Sequence, residues 1–245
     1  MRNIKLIIRF VGTNYHGWQI QENGISVQEV VTKVLSNICN EPELTVVGCG
    51  RTDSGVHASN YTVTFKTNSL IPTERIPFAM NSLLPNDITC IEADEVELSF
   101  DAVRSSVSKT YTYRIHNSRI PDPFSFPFTH LVKPKLDVEK MQKASEYFIG
   151  TFDFVGFASV GYSVKTTIRT IFDLSVKKEN EIITISVTGD GFLYNMVRII
   201  AGTLIEVGLG KIPPDKIPEI IESKTRNNAG PTAPAKGLCL TEVKY

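Results

Sequence analysis

The sequence lacks several features that would place it quickly in a class of protein. No run approaches the roughly 20 apolar residues that a membrane-spanning helix needs, so we expect no membrane association. The four cysteines are far apart in the 245-residue chain and form no CxxC pair, which argues against a zinc ribbon. The four histidines are scattered too, without metal-ligand spacing. We therefore expect no metal, and reduced thiols in a cytoplasmic protein.

The chain also has no net charge, because 26 Lys and Arg residues balance 26 Asp and Glu residues. A neutral total does not favour a nucleic-acid partner, but the charge is unevenly spread. Residues 86–101 contain six acids and no Lys or Arg, so the rest of the chain carries a net charge of +6. The next segment, residues 104–119, contains basic residues and no acid. The sequence leaves open a basic groove beside an acidic back, or charges scattered over a solvated surface.

The hydrophobic pattern mixes strands and helices. Alternating apolar residues predict strands at residues 4–10, 44–47, 60–66, 88–96, 107–116, 169–177, 182–188 and 238–244. Apolar residues spaced three and four apart predict helices over 73–84, 193–207 and 214–223. Two further helices are predicted to begin at the capping residues Ser26 and Asp137. This order predicts an α+β fold with mainly antiparallel sheets.

The most unusual segment is residues 48–58 (GCGRTDSGVHA). Three glycines within eight residues indicate tight turns or a close approach of the backbone to another group. Arg51 and Asp53 are two apart, so an extended backbone would point both the same way. The segment fits a surface hairpin, a hydrolase site using Ser54 and His57, or a carboxylate kept ionised by an arginine. It has neither the GxSxG pattern nor a phosphate-loop pattern.

Two further polar patterns lie on apolar elements. Arg198 is on an otherwise apolar predicted helix, and Asn195 and Glu206 fall on the same narrow polar stripe. It either serves a site or merely pairs with Glu206 or reaches out to solvent. Tyr111 and Tyr113 alternate with threonines and therefore point to one face of a strand. That pattern alone favours two core residues.

Residues 50–58 (GRTDSGVHA) resemble the catalytic signature of the tRNA pseudouridine synthase A family. Other segments resemble the same family, in the same order along the chain: 12–13 (GT), 17–21 (GWQIQ), 26–28 (SVQ), 81–85 (NSLLP), 100–104 (FDAVR), 109–113 (KTYTY), 192–198 (FLYNMVR), 229–234 (AGPTAP) and 237–238 (GL). Two positions depart from it: Val11, where many members have Asp, and Phe152, where a His is usual. The resemblance covers nearly the whole chain, and neither departure touches the signature.

The resemblance implies the pseudouridine synthase fold: two similar α/β halves with mainly antiparallel mixed sheets, flanked by helices, and an active-site cleft between them. Residues 1–104 would carry the aspartate loop, and residues 105–245 the tyrosine and Met-Val-Arg motifs. The implied activity is isomerisation of uridine to pseudouridine in the anticodon stem-loop of tRNA, at positions 38, 39 and 40. It implies no cofactor, and a homodimer with no other protein partner.

The resemblance also implies roles for particular residues. Asp53 would be the nucleophile, Tyr111 would stack against a flipped-out uracil, and Arg198 would supply the charge that a buried carboxylate needs. Arg51 would shape the loop or contact the RNA. Candidate phosphate contacts are Lys109, Arg114, Arg119, Lys165 and Arg169. The alternative is a non-catalytic RNA-binding protein of the same fold, which would have no need of Asp53.

Overall fold

The computed structural model describes residues 1–161 and 165–245. These residues form two compact units: Met1–Val107 with Leu240–Tyr245, and Ser108–Cys239. The strands are β1 (Arg2–Phe10), β2 (Val46–Gly48), β3 (His57–Thr67), β4 (Ile88–Val96), β5 (Ser108–His116), β6 (His130–Leu131), β7 (Gly150–Asp153), β8 (Ile168–Glu179), β9 (Ile182–Gly189) and β10 (Leu238–Lys244). The α-helices are α1 (Val27–Cys39), α2 (Ile76–Asn81), α3 (Val138–Glu146), α4 (Met196–Gly208) and α5 (Ile217–Glu222).

The sheet of the first unit is built around β1. This strand pairs antiparallel with β3 on one side and β4 on the other, and the short β2 pairs antiparallel with β3. Strand β10, most of which belongs to this unit, lies beside β3. Ile4, Leu6 and Ile8 alternate along β1 and are fully buried. The predicted cap of α1 is confirmed, because the Ser26 side chain accepts a hydrogen bond from the Glu29 backbone N–H at 3.2 Å.

In the second unit, β5, β9, β8 and β7 form an antiparallel sheet in that order. The two-residue β6 pairs parallel with β5. Helix α3 begins at the predicted cap, where Asp137 accepts from the Lys140 backbone N–H at 3.1 Å. Helix α4 is apolar and buried on nearly all sides, as befits a helix inside a core. Each unit therefore combines helices with a mainly antiparallel sheet, which confirms the predicted α+β class.

Two predicted helices are shorter than expected, and proline explains where each α-helix begins. Within residues 73–84, residues 73–75 form a 3₁₀ turn and α2 follows, and within residues 214–223, residues 214–216 form a 3₁₀ turn and α5 follows. Pro77 and Pro218 stand in the first turns of these α-helices. Proline has no N–H to donate and fits an α-helix only at its start, so neither helix extends further back.

Four of the six acids in residues 86–101 make bonds inside the first unit. Two on β4 form ion pairs with basic residues of β1 at 2.9 and 3.0 Å (Arg2–Glu95, Lys5–Asp94). Asp87 accepts a hydrogen bond from the Tyr15 hydroxyl at 2.5 Å, and Asp101 accepts from two backbone N–H groups at 2.9 and 2.8 Å. Much of this acidic charge therefore serves local structure.

Candidate active site

The segment that carries Asp53 connects β2 to β3 in the first unit. Arg51 is exposed, Thr52 is buried and Asp53 is half-buried, so consecutive side chains differ sharply in exposure. The turn is tight: the Val56 N–H donates to the Asp53 carbonyl at 3.1 Å, and Gly55 has a φ of 78°. This left-handed conformation suits glycine, as expected from a segment rich in that residue.

Residues that follow β1 hold this loop by its backbone. The Trp18 N–H donates to the Thr52 carbonyl at 3.3 Å, and the Gly55 N–H donates to the Tyr15 carbonyl at 3.2 Å. These two bonds flank Asp53 on both sides along the chain. The backbone position of Asp53 is thus set by contacts from a separate segment.

Two glycines of that segment approach the loop so closely that no side chain would fit. A Cβ on Gly12 would lie 2.0 Å from the Val56 carbonyl oxygen. A Cβ on Gly17, whose φ is +82°, would lie 2.2 Å from the Thr52 carbonyl oxygen. The glycines of the motifs at residues 12–13 and 17–21 are therefore explained by packing against the loop that carries Asp53.

The arrangement of Ser54 and His57 does not favour the hydrolase alternative. The Ser54 hydroxyl donates to the Tyr15 carbonyl at 3.3 Å, and Nδ1 of the buried His57 accepts from the Gly12 backbone N–H at 3.0 Å. An imidazole nitrogen that accepts from the backbone is not available as a base for a serine. Both side chains are bonded instead to backbone groups of the segment that follows β1.

Tyr111 and Tyr113 lie on β5 and are both buried, as the alternating pattern predicts. The Tyr113 hydroxyl donates to the Pro234 carbonyl at 3.0 Å, and burial raises the pKa of that hydroxyl. The Tyr111 ring meets the Phe192 ring edge to face, with centroids 5.3 Å apart. Tyr113 is thus a core residue bonded to the backbone, and Phe192 fixes the orientation of the Tyr111 ring.

Arg198 is half-buried in the first turn of α4. Its Nε donates to the Ala233 carbonyl at 2.7 Å, and its Nη1 donates to Asn195 Oδ1 at 2.6 Å. Glu206, the ion-pair partner considered from sequence, instead pairs with Lys211 at 3.0 Å. The guanidinium is therefore directed by groups of the second unit, and the alternative in which it pairs with Glu206 is wrong.

Helix α4 begins at Met196, not at residue 193 as predicted. Asn195 adopts a left-handed conformation with a φ of 61°, which an α-helix cannot include. Its amide Nδ2 donates to Ser159 Oγ at 2.9 Å. Sequence reasoning placed Asn195 on the polar stripe of the helix but missed this role. The available signal was that asparagine, after glycine, tolerates this conformation best.

The segment of residues 229–234 lies directly against the backbone of α4. A Cβ on Gly202 would be 1.8 Å from the Pro231 carbonyl oxygen. The Ala233 N–H donates to the Arg198 carbonyl at 3.1 Å, while the Ala233 carbonyl accepts from the Arg198 side chain. Close packing at Gly202 thus brings the acceptor for Arg198 into place.

The five candidate phosphate contacts lie in the second unit, but they do not share one face. Lys109 and Arg114 are an odd number of residues apart on β5 and therefore point to opposite faces of the sheet. Arg119 and Lys165 are exposed outside the strands. Arg169, on β8, donates its Nη1 to two nearby carbonyls at 2.9 and 2.6 Å. Their roles stay predictions, and so does that of Arg51.

Within residues 1–161 and 165–245, no cluster of three or more His, Cys, Asp or Glu side chains is arranged to hold a metal ion. The helices of those same ranges include none both long and apolar enough to cross a membrane. All four cysteines are among the described residues and none is in a disulfide. Three are buried, and Cys239 is partly exposed.

Comparison with known proteins identifies the family. A family model described as tRNA pseudouridine synthase matches residues 6–104 and 144–245. The chain therefore belongs to the tRNA pseudouridine synthase family, whose members isomerise uridine to pseudouridine. This confirms the resemblance seen in the sequence motifs, and it confirms that the chain is an isomerase.

Similar relatives define the branch of the family more narrowly. Proteins named tRNA pseudouridine synthase A are 50% identical in Acetivibrio thermocellus, 48% in Caldicellulosiruptor saccharolyticus and 45% in Clostridium acetobutylicum. Each alignment covers 100% of both chains. A chain in the solved structure of an H/ACA RNP bound to a substrate RNA aligns with this chain at a TM-score of 0.41 and 12% sequence identity. The alignment covers 97% of this chain and 47% of the other. That likeness is too low to bear on the fold.

Proposed function

We propose that this chain isomerises uridine to pseudouridine in the anticodon stem-loop of tRNA, at positions 38, 39 and 40, with Asp53 as the nucleophile. In this reaction the bond between N1 of uracil and C1′ of ribose breaks, and a bond between C5 and C1′ forms. C5 loses a proton and N1 gains one. The product is an isomer of the substrate, so the balance needs no oxidant, reductant or cofactor. Full-length relatives named tRNA pseudouridine synthase A support tRNA as the substrate.

The observation that carries the proposal is the way the Asp53 loop is held. Backbone bonds from Tyr15 and Trp18 flank a half-buried carboxylate, and Gly12 and Gly17 contact the loop without space for a side chain. A turn that only reverses the chain needs no such fixation. A reacting carboxylate does, because a displacement of about 1 Å can cost on the order of 100-fold in rate.

Tyr111 and Arg198 complete the proposed machinery. Tyr111 offers an aromatic surface to the uracil, and stacking contributes about 1–3 kcal/mol per base, which offsets the few kcal/mol needed to flip a base out of a stem. Arg198 supplies the positive charge that keeps a carboxylate ionised when RNA covers it. Lys109, Arg114 and their basic neighbours provide phosphate contacts, and Arg51 shapes the loop or contacts the RNA.

We also propose the setting in which the enzyme works. Residues 1–104 contribute the Asp53 loop, and residues 105–245 contribute Tyr111 and Arg198. The protein acts in the cytoplasm as a homodimer. A dimer would pool two modest basic surfaces, which suits a chain with no net charge.

Three variants test the proposal against its alternatives. With tRNA transcripts tritiated at C5 of uridine, Asp53→Asn should release no tritium above background, while tRNA affinity stays within a few-fold. Ser54→Ala, at the next position, and Asp173→Asn, at an exposed position of β8, should retain activity. Full turnover by Asp53→Asn would refute the nucleophile. Loss of tritium release in Ser54→Ala, with full release in Asp53→Asn, would show that Ser54 and not Asp53 is the reacting group.

The substrate positions need a separate experiment. Mapping pseudouridine in tRNA from cells that lack the protein should find uridine at positions 38, 39 and 40. Retention of pseudouridine at all three positions would refute the proposed substrate. Wild-type protein that binds tRNA without releasing tritium would instead favour the non-catalytic RNA-binding protein. Binding should weaken steeply between 50 and about 200 mM salt, and a flat response would contradict the phosphate contacts.

A further inference from the structure

We propose that Asn195 is a positioning residue for Arg198. The side-chain oxygen of Asn195 holds the Arg198 guanidinium in one orientation for the reaction. The inference rests on the proposed function, because it takes Arg198 as the cation that serves the carboxylate. Asn195 itself does not touch the reacting atoms in this proposal. It acts through the guanidinium.

The bonds to Arg198 determine the direction of its whole guanidinium. Nη1 donates to Asn195 Oδ1 at 2.6 Å, and Nε donates to the Ala233 carbonyl at 2.7 Å. A guanidinium is planar and its donors form a rigid fork. Two bonds to different nitrogens therefore fix the plane, and with it the direction of Nη2. Loss of the Asn195 bond removes one of these two bonds and loosens the plane that they define.

Asn195 is in turn held at its other end. Its Nδ2 donates to Ser159 Oγ at 2.9 Å, and the Ser159 backbone N–H donates to the Tyr194 carbonyl at 3.0 Å. Arginine carries donors only, so the amide of Asn195 must turn its oxygen toward Arg198 and its nitrogen toward Ser159. Both ends of the amide are thus committed, and its orientation is unambiguous.

The usual structural reason for an asparagine before a helix does not apply here. An asparagine that caps a helix has an extended backbone, and its side-chain oxygen accepts from a backbone N–H of the first turn. Asn195 has a left-handed backbone with a φ of 61°, and its side chain makes no cap hydrogen bond to α4. The oxygen that would cap the helix accepts from Arg198 instead. The side chain therefore serves the guanidinium rather than the helix end.

Asn195→Gly tests this role cleanly, because glycine keeps the left-handed backbone and removes only the amide. Asn180→Gly is the matched control: Asn180 has a φ of 55° and is exposed between β8 and β9. Asn195→Asp should retain the orientation of Arg198 and the rate of turnover, because aspartate keeps an acceptor for Arg198 and tolerates the same backbone conformation. Urea unfolding of each variant establishes that it folds.

Two readouts separate the orientation of Arg198 from its use in the reaction. The first is solvent exchange of the Arg198 Nε proton, followed by NMR of the full chain. The second is the single-turnover rate of tritium release from C5-labelled tRNA. We expect Asn195→Gly to accelerate exchange and to slow turnover by about 10- to 100-fold. Its tRNA affinity should change little, and Asn180→Gly should match the wild type in every measurement.

Each other outcome overturns a defined part of the inference. Unchanged proton exchange in Asn195→Gly would show that the amide does not orient Arg198. Faster exchange with an unchanged rate would support the claim that Asn195 orients Arg198, but it would refute the proposed use of Arg198 in the reaction. If Asn195→Asp is folded but turns over as slowly as Asn195→Gly, the side-chain oxygen is not the group that positions Arg198.

Discussion

Replacing Gly17 by alanine should displace the Asp53 loop, and the structure sets the size of the effect. Gly17 has a φ of +82°, and an added Cβ would lie 2.2 Å from the Thr52 carbonyl oxygen. Gly210 offers a matched control, because its φ is +76° and nothing lies within 4 Å of an added Cβ. The two substitutions share the backbone penalty and differ only in the overlap.

The magnitudes follow from these two environments. Alanine in the left-handed region costs roughly 1–2 kcal/mol, partly offset by a less flexible unfolded chain, so Gly210→Ala should cost about 1 kcal/mol. At Gly17, the methyl group must also push the Thr52 carbonyl away by about 1 Å to reach ordinary contact. Such overpacking costs about 1–3 kcal/mol, and the Trp18–Thr52 hydrogen bond adds about 0.5–1.5 kcal/mol. Gly17→Ala should therefore lower the free energy of unfolding by about 3–5 kcal/mol.

The effect on activity should exceed the effect on the amount of folded protein. A shift of Thr52 by about 1 Å carries Asp53 with it, so turnover by the folded fraction should fall on the order of 100-fold. Urea unfolding followed by far-UV circular dichroism gives the stabilities, and tritium release gives the rates. The reasoning is refuted if Gly17→Ala and Gly210→Ala are equally destabilised, or if Gly17→Ala keeps its turnover.

A thiol, a hydroxyl and a carboxylate provide further tests. Ellman's reagent should label only Cys239 rapidly in the native protein, because the other three thiols are buried, and rapid labelling of a second would contradict the packing. Tyr113→Phe leaves the Pro234 carbonyl without its donor and should cost about 1–3 kcal/mol in urea unfolding; an unchanged midpoint would be the contrary result. Hydrogen bonds from the Thr167 hydroxyl and from Lys224 lower the pKa of Asp153 in the folded protein. The charged carboxylate therefore stabilises the fold at pH values above its pKa in the unfolded chain, which is near 4. This contribution disappears as the pH falls through the lower pKa of the folded state. Asp153→Asn should therefore be less stable by up to about 1 kcal/mol at pH 7 and should approach the wild type in acid; a deficit independent of pH would contradict this.

The strands and the capped helices could be predicted because their signals are local. Strand β4 occupies residues 88–96 and β10 occupies 238–244, as the alternation of apolar residues predicts. The start of α1 follows from Ser26 and Glu29, three residues apart. At residues 73–84 the helical spacing of apolar residues continues across Pro77, but a proline there permits only the start of an α-helix. Periodicity alone therefore predicts too long a helix.

The start of α4 could not be predicted in the same way. The left-handed conformation of Asn195 accompanies bonds to Ser159 and Arg198, and Ser159 lies 36 residues away in sequence. The acceptor for Arg198 Nε is likewise 35 residues distant, at Ala233. Contacts at such separations leave no period in the sequence. Motif resemblance identified Asp53, Tyr111 and Arg198 as candidates, but not the residues that hold them.

The residues that hold Asp53 and Arg198 in place explain why so much of the motif pattern lies away from any reactive group. Gly12 and Gly17 contact the loop of Asp53, and Gly202 contacts the segment that carries an acceptor for Arg198. In each case backbone meets backbone at a distance that excludes a Cβ, so glycine is imposed by geometry and not by chemistry. A larger residue there would move Asp53 or Arg198, the proposed reacting groups, without removing a contact to RNA. Such a variant should lose turnover and keep its affinity for tRNA, whereas loss of a true phosphate contact would weaken binding and change its salt dependence.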